Sequence, residues 1–329
     1  MTSKLGRKKR LLFLVVSVCV LVLSVFAAVS LGSTHIPVSE IIKILADKNR
    51  VPEFAVIVWD IRLPRIILAL LVGSSLAASG ALFQAVIRNP LADPGIIGIS
   101  SGAKLGLLVS LLIFPNLILL APVFAFWGAV GAAFLAYVFA WKDGITTVRL
   151  ILAGVAVNAF FAGASYLITV LNNDKIQTIA LWLSGSLAGR SMYDVRLMFP
   201  YSAAGLLLAL FSIRSSNLLL FDDEKAESLG FNVTRSRILI SLVAAFLAAV
   251  STALVGVIGF AGLIVPHIVR LITGPDYKYV LPFSMLNGGI FLLIADTFAR
   301  TAAAPVELPV GALMSLIGTP FFICLLRKK

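Results

Sequence analysis

The sequence predicts an all-α polytopic membrane protein with about ten transmembrane helices, arranged as a single transmembrane domain over residues 1–329. Three observations lead to this fold class. Hydrophobic residues make up 60% of the chain and charged residues only 13%, with a mean hydropathy of +1.04, whereas about a quarter of the residues of a soluble domain are charged. The apolar residues fall into runs close to the roughly 20 residues that a spanning helix needs. The basic residues gather at the ends of these runs.

The first span is predicted over residues 11–31, directly after a basic N-terminus. A secretory signal peptide also begins this way, but this run is long enough to cross the membrane, and no convincing small-residue cleavage site precedes Gly32. We therefore expect a retained span that starts in the cytoplasm. A short surface helix over residues 39–46, capped by Ser39, is expected to follow it.

Nine further apolar runs predict the remaining spans. The run over residues 256–269 is short and contains Pro266, so its ends are the hardest to place. Small residues concentrate in the second span, where they would allow close helix packing. The runs cover residues 65–86, 96–114, 119–141, 148–171, 195–213, 238–255, 256–269, 280–298 and 308–326.

The positions of the basic residues set the orientation of the spans. Threading ten spans from a cytoplasmic N-terminus places most Lys and Arg residues inside, as the positive-inside rule requires. This accounts for the net charge of +12 without nucleic acid as a partner. The residues placed inside are Arg88, Lys142, Arg149, Arg214, Lys225, Arg235, Arg237, Arg270, Lys278, Arg327, Lys328 and Lys329.

Residues 221–237 form a polar island between two apolar runs, with four of the chain's 15 acidic residues. The threading places this polar island in the cytoplasm. An acidic turn, then Ser228, Leu229 and Gly230, then a basic turn predict two short helices broken at Gly230. Such a shape suits docking to another protein, and a plain solvated loop is the alternative.

Three arginines stand on the outer side, against the usual charge bias: Arg62, Arg65 and Arg300. Their side chains could simply snorkel to the interface. Alternatively they could form a basic outer rim that binds carboxylates of a partner, because the planar guanidinium binds a carboxylate at two points.

Residues that could carry chemistry are scarce. The chain has no phosphate-binding glycine loop with a lysine, no nucleophile with a partnered base, and only two cysteines and two histidines, so no catalytic residue, metal site or cofactor is predicted. Asp296 is the only acid well inside a span, which argues against an ion-coupled transporter. A membrane-embedded enzyme would need a catalytic constellation that is lacking. We therefore expect a separate ATPase, docked on the polar island, to supply the energy.

Two polar residues fall within predicted spans. Lys104 could snorkel to the cytoplasmic interface or face a translocation path. Asn158 could hold two helices together or line the path, and the sequence does not choose between these roles.

Several ordered motifs resemble the FecCD family of binding-protein-dependent ABC importer permeases. The resemblance runs from about residue 10 to the C-terminus, and it departs from the family pattern at Tyr277-Lys278 and at Lys104. The motifs are Arg62-Leu63-Pro64-Arg65, Gly80-Ala81-Leu82-Phe83-Gln84, Asn89-Pro90-Leu91-Ala92-Asp93-Pro94-Gly95, Ser228-Leu229-Gly230, residues 259–270, Ala295-Asp296 with Arg300, and Glu307-Leu308-Pro309-Val310-Gly311.

The resemblance implies a permease in a bacterial cytoplasmic membrane that moves an iron–siderophore complex, haem or cobalamin. It implies two permeases, identical or paralogous, with two ATPase subunits below them and an extracytoplasmic substrate-binding protein above. Residues 222–237 would be the ATPase coupling segment, with Glu224, Glu227, Ser228, Leu229 and Gly230 as its contact residues. Arg62, Arg65 and Arg300 would meet glutamates of the binding protein, and the path would run along the fifth, eighth and tenth spans.

Overall fold

The computed structural model describes residues 2–32, 36–37, 39–41, 44, 52–114, 116, 120–142, 144–172 and 184–327. Within these residues the regular structure is helical, apart from an isolated β-bridge between Trp141 and Ile145. The α-helices are α1 (Thr2–Ser30), α2 (Pro52–Val56), α3 (Leu63–Ile87), α4 (Ile99–Leu108), α5 (Ala121–Ala140), α6 (Thr147–Leu171), α7 (Met192–Phe211), α8 (Ile213–Leu218), α9 (Asp223–Ser228), α10 (Val233–Val255), α11 (Ala261–Thr273), α12 (Tyr277–Thr301) and α13 (Val310–Arg327).

Short π-helical and 3₁₀ segments join some of these helices. The π-helical segment Ile57–Arg62 connects α2 to α3, and the segment Val109–Ile113 extends α4. The 3₁₀ turn Pro94–Ile97 precedes α4, and its N-cap Asp93 accepts a hydrogen bond from the Gly95 N–H at 2.8 Å.

Seven helical stretches of the described chain are long and apolar enough to cross a membrane, and three shorter apolar helices accompany them. The shorter ones are Ile99–Ile113, Ala261–Thr273 and Val310–Cys324. Together they match the ten runs read from the sequence. The prediction of an all-α polytopic membrane protein with about ten helices is therefore confirmed.

Helix α3 lies at the centre of the bundle. It packs against α12, α10, α11 and α7, and its span is 78% buried whereas that of α1 is 22% buried. Glycines make this possible, because a Cβ atom at Gly73 would collide with the backbone of Gly288, and one at Gly80 with that of Gly262. The small residues of this span thus serve close helix packing, as in other membrane bundles.

The structure moves some predicted helix ends. Helix α10 starts at Val233, five residues before the predicted span, and α11 covers Ala261–Thr273 rather than residues 256–269. Residues 256–260 are not helical, because Gly256 (φ 78°) and Phe260 (φ 64°) both adopt left-handed backbone conformations. The predicted helix over residues 39–46 is only partly within the described residues, where residues 39–41 and 44 are helical.

Candidate functional sites

Helix α9 forms the first half of the polar island. Its C-terminus is a Schellman motif, in which the Phe231 N–H donates to the Ala226 carbonyl at 3.2 Å and the Gly230 N–H donates to that of Glu227 at 2.8 Å. Gly230 has φ 74°, which glycine adopts without the strain of a side chain. The predicted helix break at Gly230 is therefore present.

The second predicted short helix does not exist as a separate element. Asn232 caps α10 by accepting a hydrogen bond from the Arg235 N–H at 2.8 Å, and the helix then continues unbroken to Val255. The basic turn read from residues 233–237 is the first turn of a membrane span. The reason is that the apolar run follows it without a Gly or Pro to end the helix.

The tip of the polar island presents the five residues predicted to contact an ATPase. All five are exposed, and Leu229 has 69% of its surface exposed. Ala226, on the opposite side of α9, is fully buried against the bundle together with partly buried Phe231. One side of α9 therefore packs on the bundle through Ala226. The other side is exposed to solvent and ends at the apolar residue Leu229. The five residues are Glu224, Glu227, Ser228, Leu229 and Gly230.

Asp223 ties α9 to two spans. Its carboxylate accepts hydrogen bonds from the guanidinium groups of Arg88, at the end of α3, and Arg237, in α10, the latter at 3.1 Å. Arg88 also donates from Nε to the Leu219 carbonyl at 2.7 Å, and its backbone is left-handed (φ 53°). Partial burial opposes ionisation of Asp223, but the two arginines outweigh it and lower its pKa below the ordinary value.

A second link joins the same region to α12. The Asn217 side chain of α8 donates to Asp276 Oδ1 at 2.8 Å and accepts from the Tyr277 N–H at 2.8 Å. The buried Tyr277 hydroxyl then donates to the Ala81 carbonyl of α3 at 2.8 Å. The segment that carries α8 and α9 is therefore fastened to α3, α10 and α12.

The three outer arginines lie at helix ends, as predicted, but they do not form an exposed rim. Arg62, Arg65 and Arg300 are 3%, 6% and 6% exposed. Because a buried guanidinium needs acceptors, each side chain turns into the bundle rather than outwards. This corrects the expectation of a basic outer surface, and binding of a partner by these residues stays a prediction.

Arg65 is at the centre of this buried group. Its Nε and Nη2 donate to the two carboxylate oxygens of Asp296 at 2.8 and 3.0 Å, and its Nη1 donates to Glu307 at 2.7 Å. Arg62 donates to the carbonyl oxygens of Val29 and Ser30. The contacts made by Arg62 and Arg65 thus join α3 to α1, to α12 and to the segment before α13.

Arg300 completes the group with a single backbone contact. Its Nη2 donates to the Ala28 carbonyl, and its buried Nε has no hydrogen-bond partner among the described residues. Arg62, Arg65 and Arg300 thus lie buried at this end of the bundle, beside the carboxylates of Asp296 and Glu307.

The two polar residues of the spans have different surroundings. Lys104 is half-buried on α4, about 8 Å along the helix from its first residue, Ile99. Asn158 is exposed on α6, and its side chain makes no hydrogen bond within the described chain. Asn158 therefore does not link helices within the part of the chain that the structure describes, whereas a path-facing role for either residue stays a prediction.

Sequence reasoning missed the contacts of Asp223, Arg88 and Arg237. In the sequence, Arg88 and Arg237 indicate membrane orientation only, and Asp223 is one of four acids in the polar island. The pairing joins residues 135 and 14 positions apart. Only the unusual density of acids in the polar island hinted that one of them was held by the basic residues nearby.

Comparison with known proteins identifies the family. The model of the FecCD transport family matches residues 20–328. The Fe(3+)-citrate import system permease protein YfmD of Bacillus subtilis is 39% identical over 327 residues, covering 99% of this chain and 98% of that protein. The cobalamin import system permease protein BtuC of Halobacterium salinarum is 44% identical over 281 residues, covering 85% and 76%.

A solved structure agrees with these matches. It shows an inward-facing conformation of a transporter assigned to the metal-chelate type of ABC transporter, with a TM-score of 0.84 and 28% sequence identity. The match covers 97% of this chain and 100% of that chain. The ten-helix fold, the ordered motifs and the near complete coverage lead to one conclusion: the chain belongs to the FecCD transport family, as a multi-pass permease of the cell membrane that is not itself an enzyme.

Proposed function

We propose that this permease moves an iron(III)–siderophore complex across the cytoplasmic membrane, driven by ATP that a partner ATPase hydrolyses. The observation that carries the proposal is the polar island, whose exposed tip sits on a segment, α8 and α9, that is fastened to three membrane helices. Relatives of similar identity are named for Fe(3+)-citrate and for cobalamin. A haem or cobalamin permease of the same family is therefore the alternative.

Docking of the ATPase is assigned to the tip of the polar island. Leu229 offers an exposed apolar side chain at the end of α9, and Glu224 and Glu227 are exposed on the helix before it. An apolar anchor with a charged rim is the usual composition of the energetic centre of a protein interface. We expect Leu229 to enter a cleft of the ATPase and the two glutamates to orient it.

Transmission from the ATPase to the spans is assigned to Asp223 and Asn217. When two ATPase subunits close on ATP, the force on α9 would reach α3 and α10 through Asp223 and α12 through Asn217. Interfaces with two discrete packings convert small displacements into larger helix movements. In this way the cavity between two permeases would open to one side of the membrane at a time.

Docking of the binding protein is assigned to the buried arginines of the outer face. Arg65 binds Asp296 through two nitrogens but meets Glu307 through one, so its contact with Glu307 is the easier one to replace with a carboxylate of a partner. Glu307 is 42% exposed on its side chain, so it lies where a glutamate of a partner could compete for Arg65. We therefore expect that a carboxylate of the docked binding protein replaces Glu307 as a partner of Arg65.

The path is assigned to the faces of α6 and α13. Asn158 is exposed on α6 and its amide has no hydrogen-bond partner among the described residues, which is unfavourable against lipid alone. Ser315 and Thr319 are exposed on α13, where their hydroxyls donate to the carbonyl oxygens of Gly311 and Ser315. A second permease, a copy or a paralogue, would cover these faces and enclose the path. Helix α11, the eighth span, is mostly buried and contributes less, and Lys104 would lie near the cytoplasmic exit.

An ion-coupled transporter is less well supported. Asp296, the acid that the sequence places inside a span, is bound at two points by Arg65 and is 2% exposed. A carboxylate held in this way is poorly suited to bind and release a proton or sodium ion during transport.

The test combines uptake with co-purification. Cells should lose uptake of radiolabelled iron(III)–siderophore when ATP is depleted while the ion gradients are kept; uptake that instead follows the gradients would contradict the importer. Leu229→Ala should lower the amount of ATPase that co-purifies with the tagged permease by about tenfold or more, as for an interface hot spot. Lys278→Ala, an exposed residue at the cytoplasmic end of α12, is the control and should not change it.

A further inference from the structure

A long apolar groove runs along the side of the bundle between α5 and α10. Its cavity volume is about 820 Å³. Trp127, Phe134 and Leu242 line it and are 64%, 65% and 55% exposed, so the groove is open sideways. The lining residues are Phe126, Trp127, Val130, Ala133, Phe134, Tyr137, Val138, Trp141, Ile145, Ile238, Ser241, Leu242, Ala245 and Phe246.

The groove begins at the end of the bundle that the positive-inside rule assigns to the cytoplasm. Helix α5 ends at Ala140 and α10 starts at Val233 on the cytoplasmic side, and the groove begins beside these ends. Fifteen residues of helical rise separate Trp141 from Phe126, which is about 22 Å. Half of a hydrocarbon core is about 15 Å thick. The groove is thus deep enough to receive an acyl chain of the inner leaflet.

Hydrogen bonds hold the backbone in place at the cytoplasmic end of the groove. A β-bridge closes the turn between Trp141 and Ile145. Arg237 donates from Nη1 to the Ile145 carbonyl at 2.7 Å, and Arg149 donates to the carbonyl oxygens of Lys142 and Gly144. Two arginines therefore bind carbonyl oxygens of the turn at this end of the groove.

Free positive charge flanks this end. Lys142 directly follows the lining residue Trp141, and Arg235 lies one turn before the lining residue Ile238. Both side chains are exposed, and neither forms an ion pair with a residue that the structure describes. With Arg149 included, the region keeps an excess of positive charge even when the carboxylate of Asp143 is counted.

Two residues with hydroxyl groups line the groove farther from its cytoplasmic end. Tyr137 and Ser241 line the groove about one turn deeper than Trp141 and Ile238. The order from the interface inwards is therefore cations, hydroxyls and an aromatic-lined apolar channel. A phospholipid has the same order of parts: phosphate, ester carbonyls and acyl chain.

We propose that this groove is a binding site for an anionic phospholipid of the inner leaflet. Lys142 and Arg235 bind its phosphate headgroup, the Tyr137 hydroxyl, which has no hydrogen-bond partner among the described residues, donates to an ester carbonyl, and one acyl chain lies against Trp127 and Phe134. Basic pockets between membrane helices on the cytoplasmic side bind anionic headgroups in this manner. A second copy of this chain fits less well, because a two-fold interface at the groove would bring Lys142 and Arg235 of both copies together.

The test is tryptophan quenching by lipids with brominated acyl chains. The full chain is reconstituted as a variant whose tryptophans are only Trp127 and Trp141, made by Trp59→Phe and Trp182→Phe. Small equal fractions of brominated phosphatidylglycerol or brominated phosphatidylcholine are added to neutral vesicles. Binding at the groove should give about a tenfold preference for the anionic lipid, since each cation near the surface favours it, and added salt should reduce the preference.

Paired variants locate the site. Lys142→Gln with Arg235→Gln should bring the preference close to one, whereas Lys8→Gln with Lys9→Gln removes the same charge from exposed positions of α1 and should leave it unchanged. Equal quenching by both lipids in the parent variant would overturn the proposal, because it would indicate ordinary boundary lipid only. Absence of quenching by either lipid would also overturn it and would indicate that a protein covers the groove.

Discussion

At the scale of single residues, Arg65 has two unequal partners. Asp296 is buried, with 3% of its side chain exposed, and meets the guanidinium at two points, whereas Glu307 is 42% exposed and meets it at one. Removing one member of a buried ion pair leaves an uncompensated charge, but an exposed pair contributes little to stability. The two carboxylates should therefore have different roles.

We expect Asp296→Asn to lower the free energy of unfolding by about 3–5 kcal/mol, because Arg65 would stay buried without its main counter-charge. Glu307→Gln should change it by about 1 kcal/mol or less. Denaturation of both variants in one detergent, followed by size-exclusion chromatography, measures the difference. Losses of equal size would contradict this division of roles.

At the scale of elements, α9 is a helix of six residues that depends on its attachments. So short a helix is unstable in water by itself. The buried Ala226 and the contacts of Asp223 with Arg88 and Arg237 hold it on the bundle. The strength of these contacts therefore determines how well a displacement of α9 is transmitted to the membrane helices α3 and α10.

Asp223→Asn should speed hydrogen exchange of the α9 amides about fivefold at neutral pH, since a half-exposed charged contact contributes about 1 kcal/mol. Asp222→Asn is the control, because Asp222 meets only the exposed Lys225 at 3.5 Å. Equal exchange in the two variants would argue against the attachment.

The same contact predicts a pH dependence. Because the folded protein lowers the pKa of Asp223, its contribution is fully present above the ordinary carboxyl pKa of about 3.9 and is lost as the pH falls through the lowered value. After correction for the intrinsic rate, exchange of α9 in the parent protein should therefore rise only below about pH 4. A rise between pH 5 and 7 would point to a different group.

Two glycines in different spans test the packing of the bundle. Gly80→Ala should destabilise the protein by about 1–3 kcal/mol or more, because the new methyl group meets the backbone of Gly262. Gly131→Ala has open space around it and should be neutral or stabilising by up to about 1 kcal/mol. Thermal unfolding of the two variants side by side gives the comparison. A neutral Gly80→Ala would mean that α3 and α11 can separate.

At the scale of the whole molecule, the exposed surface differs between sides of the bundle. The groove between α5 and α10 is apolar with cations at its cytoplasmic end, whereas α6 and α13 expose polar side chains. The side with the groove has the composition expected of a surface that contacts lipid. The side formed by α6 and α13 has the composition expected of a path shared with another permease. The two surfaces should therefore have different neighbours in the membrane.

Cysteine cross-linking in membranes checks this arrangement. In a background with Cys19→Ser and Cys324→Ser, Ala159→Cys on α6 and Leu316→Cys on α13 should give disulfide-linked permease pairs, because both positions are exposed on the proposed shared face. The permease with Val138→Cys on α5, an exposed position in the lining of the groove, should remain monomeric. Cross-linking through Val138→Cys alone would reverse the assignment of the two surfaces.

The sequence by itself determined the fold class, the family and the place of the polar island. Hydrocarbon admits few backbone structures, so runs of about 20 apolar residues are strong signals for helices. The helix break at Gly230 could also be predicted from the sequence, because few residues other than glycine tolerate a left-handed backbone. These features depend on residues that are close together in the sequence, so they can be predicted without knowledge of tertiary contacts.

Only the tertiary structure decided what the charged residues do. Arg62, Arg65 and Arg300 turned from a predicted outer rim into a buried group, and Asp223 proved to be held by Arg88 and Arg237. Arg65 meets Asp296 across 231 positions of the chain. A charged side chain near a membrane surface can snorkel, pair or face a partner with the same local sequence. The choice between these states depends on which distant acceptors the packed helices bring within reach.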